Sequence, residues 1–158
     1  MLGFELRESL SGSWYRLDDP LHDRAIWFRH RIGTTRLRRF LRDRRLEALG
    51  AIWVEGLAER EPSGCTLEGS LDWRLLDERR IPYDLRFEGD DGKVYRLRGQ
   101  RDFFVHDAID SLTVLPASIF DETGAELGRA TLRFDARREL PATLKSIRPR
   151  LSRPRWRA

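Results

Sequence analysis

From Cys65 to Leu75 apolar and polar residues alternate one for one. Cys65, Leu67, Gly69, Leu71, Trp73 and Leu75 share one parity, and Thr66, Glu68, Ser70, Asp72 and Arg74 the other. A period of two puts each set on its own face of a β-strand, so the segment predicts a strand with one face buried and one wet. Arg24–Ile32 alternates likewise, with Ile26, Phe28, His30 and Ile32 opposing Ala25, Trp27, Arg29 and Arg31. A strand from about Phe4 to Tyr15 and a shorter apolar run, Ala51–Leu57, extend the pattern.

Two hairpins follow. Tyr83–Phe87 meets Val94–Arg98 across Gly89-Asp90-Asp91-Gly92, and Leu112–Phe120 meets Leu127–Phe134 across Asp121-Glu122-Thr123-Gly124. Asp-Gly and Thr-Gly put glycine where a tight turn calls for positive φ. The total is roughly eight strands, the inventory of a barrel or a sandwich. Gly56, Gly69, Gly99 and Gly128 each fall on the apolar side of a strand. A missing inward side chain lets a strand bend sharply, as closure of a small barrel requires. The expected fold is therefore all-β: an antiparallel up-and-down β-barrel of calycin or lipocalin-like kind, with a sandwich as the second choice.

One or two short helices are expected beside the strands. Thr34 or Thr35 can cap a segment running to about Leu46, with Leu37, Phe40 and Leu41 on one side. If Arg36–Leu46 is helical, Arg38, Arg42 and Arg45 lie close to one surface. A second helix, Leu140–Ile147, stops before Pro149, whose ring disfavours continuation. Residues 1–148 then form a single barrel domain, and 149–158 a basic, flexible C-terminal tail.

Charge changes this picture little. The 158 residues carry a net charge of +4, but the segment from Lys145 onward holds six bases and no acid, which leaves −2 for residues 1–144. The body is slightly acidic, and the basic character belongs to the tail. Hydrophobic residues make up 40% and charged residues 35%, the balance of a globular domain rather than a disordered chain. No apolar run approaches the roughly 18 residues of a membrane span. The N-terminus lacks the apolar core of a signal peptide, and a single cysteine, Cys65, excludes an internal disulfide. A cytoplasmic location is expected.

Candidate chemistry is sparse. The chain has no G-x-G-x-x-G, P-loop, G-x-S-x-G, H-E-x-x-H or C-x-x-C, so no cofactor and no metal are expected. His30 shares the apolar parity of its strand, which makes it either a hydrogen-bonded core histidine or a polar handle in a ligand cavity. His106, near Asp102 and Asp110, could serve acid–base or metal chemistry, although such loops are commonplace. His22 lies in a polar loop. Arg29–Arg45 holds eight arginines against one acid, Asp43. Its ordinary reading is a solvated helix; its alternatives are an anionic membrane surface or a nucleic-acid backbone, with Trp156 in the arginine tail a minor support. No recognised nucleic-acid motif accompanies it, and nucleic acid is the weakest of the partner readings. Trp27 and Trp53 fall opposite the regular apolar positions, forming an outer apolar patch unless the register slips at a bulge.

Several segments together resemble a family. They are Glu8-Ser9-Leu10-Ser11-Gly12-Ser13-Trp14, Leu67-Glu68-Gly69-Ser70-Leu71, Tyr83-Asp84-Leu85-Arg86-Phe87 with Asp91–Gly99, and Gly128-Arg129-Ala130-Thr131-Leu132-Arg133-Phe134. The pattern is similar to the small β-rich accessory domain found beside bacterial cholesterol-oxidase-like glucose–methanol–choline oxidoreductases, over about Phe4 to Ile147. The resemblance implies an accessory or ligand-binding role in lipid or sterol metabolism. It implies no flavin chemistry for this chain, which lacks a dinucleotide fingerprint, and it transfers no site residues. The tail from Arg148 onward has no counterpart in it.

The leading expectation is a non-enzymatic barrel binding an apolar small molecule, a fatty acyl or sterol-like lipid. The inward register names Phe28, His30, Leu67, Leu71, Trp73, Tyr83, Leu85, Phe87, Tyr95, Leu97, Leu132 and Phe134 as lining residues. The alternatives are a packed barrel acting as a scaffold for an enzyme partner or a homodimer, an enzyme built on His106, and a nucleic-acid binder built on the arginine helix and tail.

Overall fold

The computed structural model describes residues 2–104, 106, 113–134, 145 and 147–151. Alternation becomes strands almost wherever the sequence shows it. In chain order they are β1 (Leu2–Arg16), β2 (Asp19–Thr34), β3 (Arg45–Val54), β4 (Cys65–Asp72), β5 (Arg80–Glu88), β6 (Val94–Asp102), β7 (Val114–Phe120), β8 (Glu126–Arg133) and β9 (Arg148–Leu151). Each of the first seven pairs antiparallel with the next. β8 returns to β1, with Ser11 opposite Arg133 and Arg16 opposite Gly128, which closes an eight-stranded up-and-down barrel. Both predicted turns form, with Gly92 at φ 77° and Gly124 at φ 86°.

Inward parity makes the core. Leu10, Trp14, Ile26, Phe28, Leu46, Ile52, Leu67, Leu71, Leu85, Leu97, Leu115 and Ile119 are almost wholly buried. Glycine permits the close strand approaches that closure needs. At the β1–β8 seam a Cβ on Gly12 would come within 1.9 Å of the Thr131 carbonyl oxygen. Gly69, Gly99 and Gly128 lie in strands as expected, but Gly56 does not. It follows β3 in a turn at φ 80°, because β3 ends at Val54.

The helix is shorter than its sequence suggests. α1 spans Leu37–Asp43 and stops at Arg44, which takes φ 58° and donates its N–H to the Phe40 carbonyl at 2.7 Å. Thr34 caps only the turn before it, its Oγ1 accepting from the Arg36 N–H at 3.1 Å. Leu46 is a buried β3 residue, and Arg45 belongs to that strand, with its guanidinium on Ser70 Oγ at 3.1 Å. Arg38, Arg42 and Arg45 therefore do not share a helix surface. Residues 45–54 alternate and pair with β2 from Gly33↔Glu47 to Ile26↔Val54, and this long ladder wins over further helix. The second expected helix, 140–147, falls mostly outside the described residues. Past it, Arg148–Leu151 pairs with Glu5–Leu2 as β9, so strand structure crosses the boundary expected at 148.

Candidate functional site

Among the described residues Glu8 at 8%, His30 at 3% and Arg101 at 6% relative exposure are buried polar or charged side chains. Each is placed there by parity. Glu8 sits between Leu6 and Leu10 on the inward set of β1, and strand pairing sets it directly opposite His30 on β2. Arg101 continues the inward set Tyr95, Leu97, Gly99 of β6, opposite Ile81 on β5. Tyr83, two residues along β5 and also inward, completes the group.

The four side chains form one network with the Glu8 carboxylate at its centre. His30 Nε2 lies 2.8 Å from Glu8 Oε2, and the Tyr83 hydroxyl donates to the same oxygen at 3.2 Å. Arg101 donates through a terminal guanidinium nitrogen to Glu8 Oε1. The Tyr83 ring stacks against His30 with centroids 6.1 Å apart and carries the Arg101 guanidinium 5.3 Å above its face. Phe28 meets His30 edge-on at 5.0 Å, and Arg101 also lies 6.0 Å over Phe134.

Burial alone would raise the Glu8 carboxyl. The Arg101 charge, and then the His30 hydrogen bond, outweigh that and hold it at about 2. Burial pushes the Tyr83 hydroxyl well above the usual phenol range, and the Glu8 charge adds to this. Burial disfavours the Arg101 cation, but Tyr83 and Glu8 keep it above its ordinary value. At neutral pH the cluster therefore holds a buried carboxylate–guanidinium pair and an un-ionised phenol.

Two polar atoms of this cluster, His30 Nδ1 and Arg101 Nε, are buried without a hydrogen-bond partner among the described residues. Leaving such groups unpaired costs on the order of 1–3 kcal/mol each. An ionised carboxylate only accepts, so His30 Nε2 carries the proton in this hydrogen bond.

Of the twelve residues expected to line the barrel, Phe28, His30, Leu67, Leu71, Tyr83, Leu85, Phe87, Tyr95, Leu97, Leu132 and Phe134 are buried. Trp73 lies one residue past β4 and packs half-buried against the core edge. Sequence reasoning did not select Glu8 or Arg101. The signal that finds them is a charged residue on the apolar parity of its strand.

The other candidates lie apart from this cluster. His106 is exposed, Asp102 accepts from Gln100 at 2.6 Å, and Asp110 is outside the described residues. His22 is exposed and bonded to Asp19 at 2.8 Å. Among the described residues no group of three His, Cys, Asp or Glu comes together as a metal would need, and no helix is long and apolar enough to cross a membrane. Trp27 and Trp53 are direct cross-strand partners on the outer face, with the Arg29 guanidinium 5.3 Å over the Trp27 ring. An outer cleft of about 830 Å³ runs beneath α1 along β3–β6. Its charges meet largely in pairs: Arg39 with Asp43 at 3.1 Å, Arg96 with Asp84 at 3.1 Å, and Arg86 with Glu68 at 3.7 Å.

Comparison with known protein families, with curated proteins and with solved structures finds no match to this chain.

Proposed function

We propose that the protein is a non-enzymatic binding barrel that takes an apolar small molecule, a fatty acyl or sterol-like lipid, against its inward face. One observation carries the reading. Inside an otherwise apolar barrel, a four-residue polar cluster keeps two hydrogen-bonding atoms, His30 Nδ1 and Arg101 Nε, without a partner among the described residues. Small-molecule sites have this composition: apolar walls and a few fixed polar groups that orient the ligand. An eight-stranded barrel is wide enough either to fill with its own side chains or to hold one small ligand. The resemblance to accessory domains beside cholesterol-oxidase-like enzymes accords with it and suggests service to an enzyme of lipid metabolism.

The test is uptake of a neutral apolar probe, N-phenyl-1-naphthylamine, by protein stripped over hydrophobic resin. Saturable fluorescence at one probe per chain, with a matching rise in thermal midpoint, is the expected result. A probe signal that never saturates and a midpoint indifferent to it would mean a filled barrel.

That outcome would favour a second reading, a packed scaffold for an enzyme partner or a second copy, supported by the outward Trp27–Trp53 pair. Light scattering addresses it, since a strictly monomeric species removes the homodimer version.

A further inference from the structure

Beyond the binding reading, and independently of it, we propose that the α1 end of the barrel docks on an anionic membrane surface. Leu41 enters the lipid there, and the arginines around it meet the phosphates. Topology sorts the charges, because alternate connections of an up-and-down barrel lie at opposite ends. α1 and the 73–79 connection share one end, joined by the Trp73 N–H donating to the Arg44 carbonyl at 2.8 Å. Residues 35–44 carry Arg36, Arg38, Arg39, Arg42 and Arg44 against Asp43, and 73–79 carry Arg74 and Arg79 against Asp77 and Glu78. The β6–β7 connection adds Asp107 and Asp110 in sequence, and the end stays positive. The connections at the other end, 17–18, 55–64, 89–93 and 121–125, hold eight acids and two bases. The barrel is thus electrically polar along its axis, and its α1 end is the one drawn toward a negative surface.

Helix geometry supplies the apolar part. Phe40 turns toward the barrel, edge-on to Phe4 with centroids 5.3 Å apart. Arg38, Leu41 and Arg42 fall at i, i+3 and i+4 on the side away from it, all exposed, Leu41 at 56%. The neighbouring connection adds Leu76, exposed at 80%. Leu21 and Val94 are exposed at the opposite end, but the carboxylates there oppose contact with an anionic surface. Interfacial anchors combine these same parts: an apolar side chain enters the acyl boundary while flanking guanidinium groups bond phosphate. A nucleic-acid backbone would use the arginines and leave Leu41 and Leu76 wet.

Co-sedimentation of the full chain with phosphatidylcholine vesicles, with and without phosphatidylglycerol, tests this. Binding is expected only where phosphatidylglycerol is present, and it should fall as salt is added. Arg38→Gln with Arg42→Gln should weaken it about thirtyfold, and Leu41→Ser about tenfold. Arg60→Gln, which removes a base from the opposite end, should leave it within about twofold of the wild type. Unchanged urea midpoints separate loss of docking from loss of fold. No sedimentation with phosphatidylglycerol vesicles at low salt would overturn the docking surface. A loss from Arg60→Gln as large as that from the α1 pair would do the same. Vesicle binding indifferent to Leu41→Ser, beside tight retention of a single-stranded oligonucleotide, would overturn it in favour of nucleic acid. Head-to-tail association of chains at low salt, in place of vesicle binding, would overturn it in favour of a second copy. Uptake of the neutral probe is read separately, so none of these results decides the binding barrel.

Discussion

Glu8 and Arg101 stand where their strands otherwise place apolar side chains, and each is tolerable only because of the other. A buried ion pair contributes little net stability, yet breaking it leaves an uncompensated charge and costs about 3–5 kcal/mol. Glu8→Gln or Arg101→Met alone should therefore lower unfolding stability by roughly that amount, and the double substitution by clearly less. Urea unfolding of the three variants checks this; additive losses would show the pair to be uncoupled. The same pair sets a pH dependence. The folded carboxyl sits at about 2 against an ordinary value of 4.5. A depressed folded pKa stabilises above the unfolded value, and that stability is lost as pH falls from about 4.5 toward 2. Across that window the wild type should lose roughly 3 kcal/mol that Glu8→Gln does not lose. Parallel stability curves for the two proteins would contradict the network. At this scale the sequence was half legible. His30 and Tyr83 were readable as inward polar groups, whereas Glu8 and Arg101 went unread because a charged residue is ordinarily assigned to the wet face.

At the scale of elements, turns and alternating strands were the most legible features, because both are local. Gly92 and Gly124 mark their hairpins, and the Cys65–Leu75 alternation is the β4 pattern continued slightly too far. β3 was harder. Leu46, Ala48, Ile52 and Val54 point inward, but Arg45 and Leu46 read as the end of the arginine-rich helix. Only the ladder to β2, a long-range pairing, decides the register. Two predictions belong here. A Cβ on Gly12 would collide with the β8 backbone at the seam that closes the barrel. Gly12→Val should thus destabilise by on the order of 2 kcal/mol or more, read as a lower urea midpoint. An unchanged midpoint would mean that the seam has slack. Removing residues 148–158 takes away β9, which pairs with Leu2–Glu5, and leaves Phe4 and Glu5 only their pairing with β2, while β8 still pairs with Ser11–Arg16. Amide exchange in that truncation should quicken at Leu2–Glu5 and stay slow at Ser11–Arg16; uniform loss of protection would show that β9 holds the whole barrel together.

For the molecule as a whole, closure of eight antiparallel strands follows from the alternation, the hairpins and the inward glycines taken together. Function does not follow from that architecture, because one barrel serves many chemistries. What narrows it is the buried polar cluster: a carboxylate held by three donors in apolar surroundings, with two polar atoms unpartnered among the described residues. The burial of eleven of the twelve inward residues was legible in the sequence; the charged pair Glu8 and Arg101 beside them was not. Native mass spectrometry of the protein as purified from cells, followed by extraction of whatever is bound, tests the binding reading most directly. The account predicts one apolar small molecule per chain, lost or reduced in Arg101→Met. A chain that flies empty from every preparation, and stays empty after exposure to cell lipid, would contradict it.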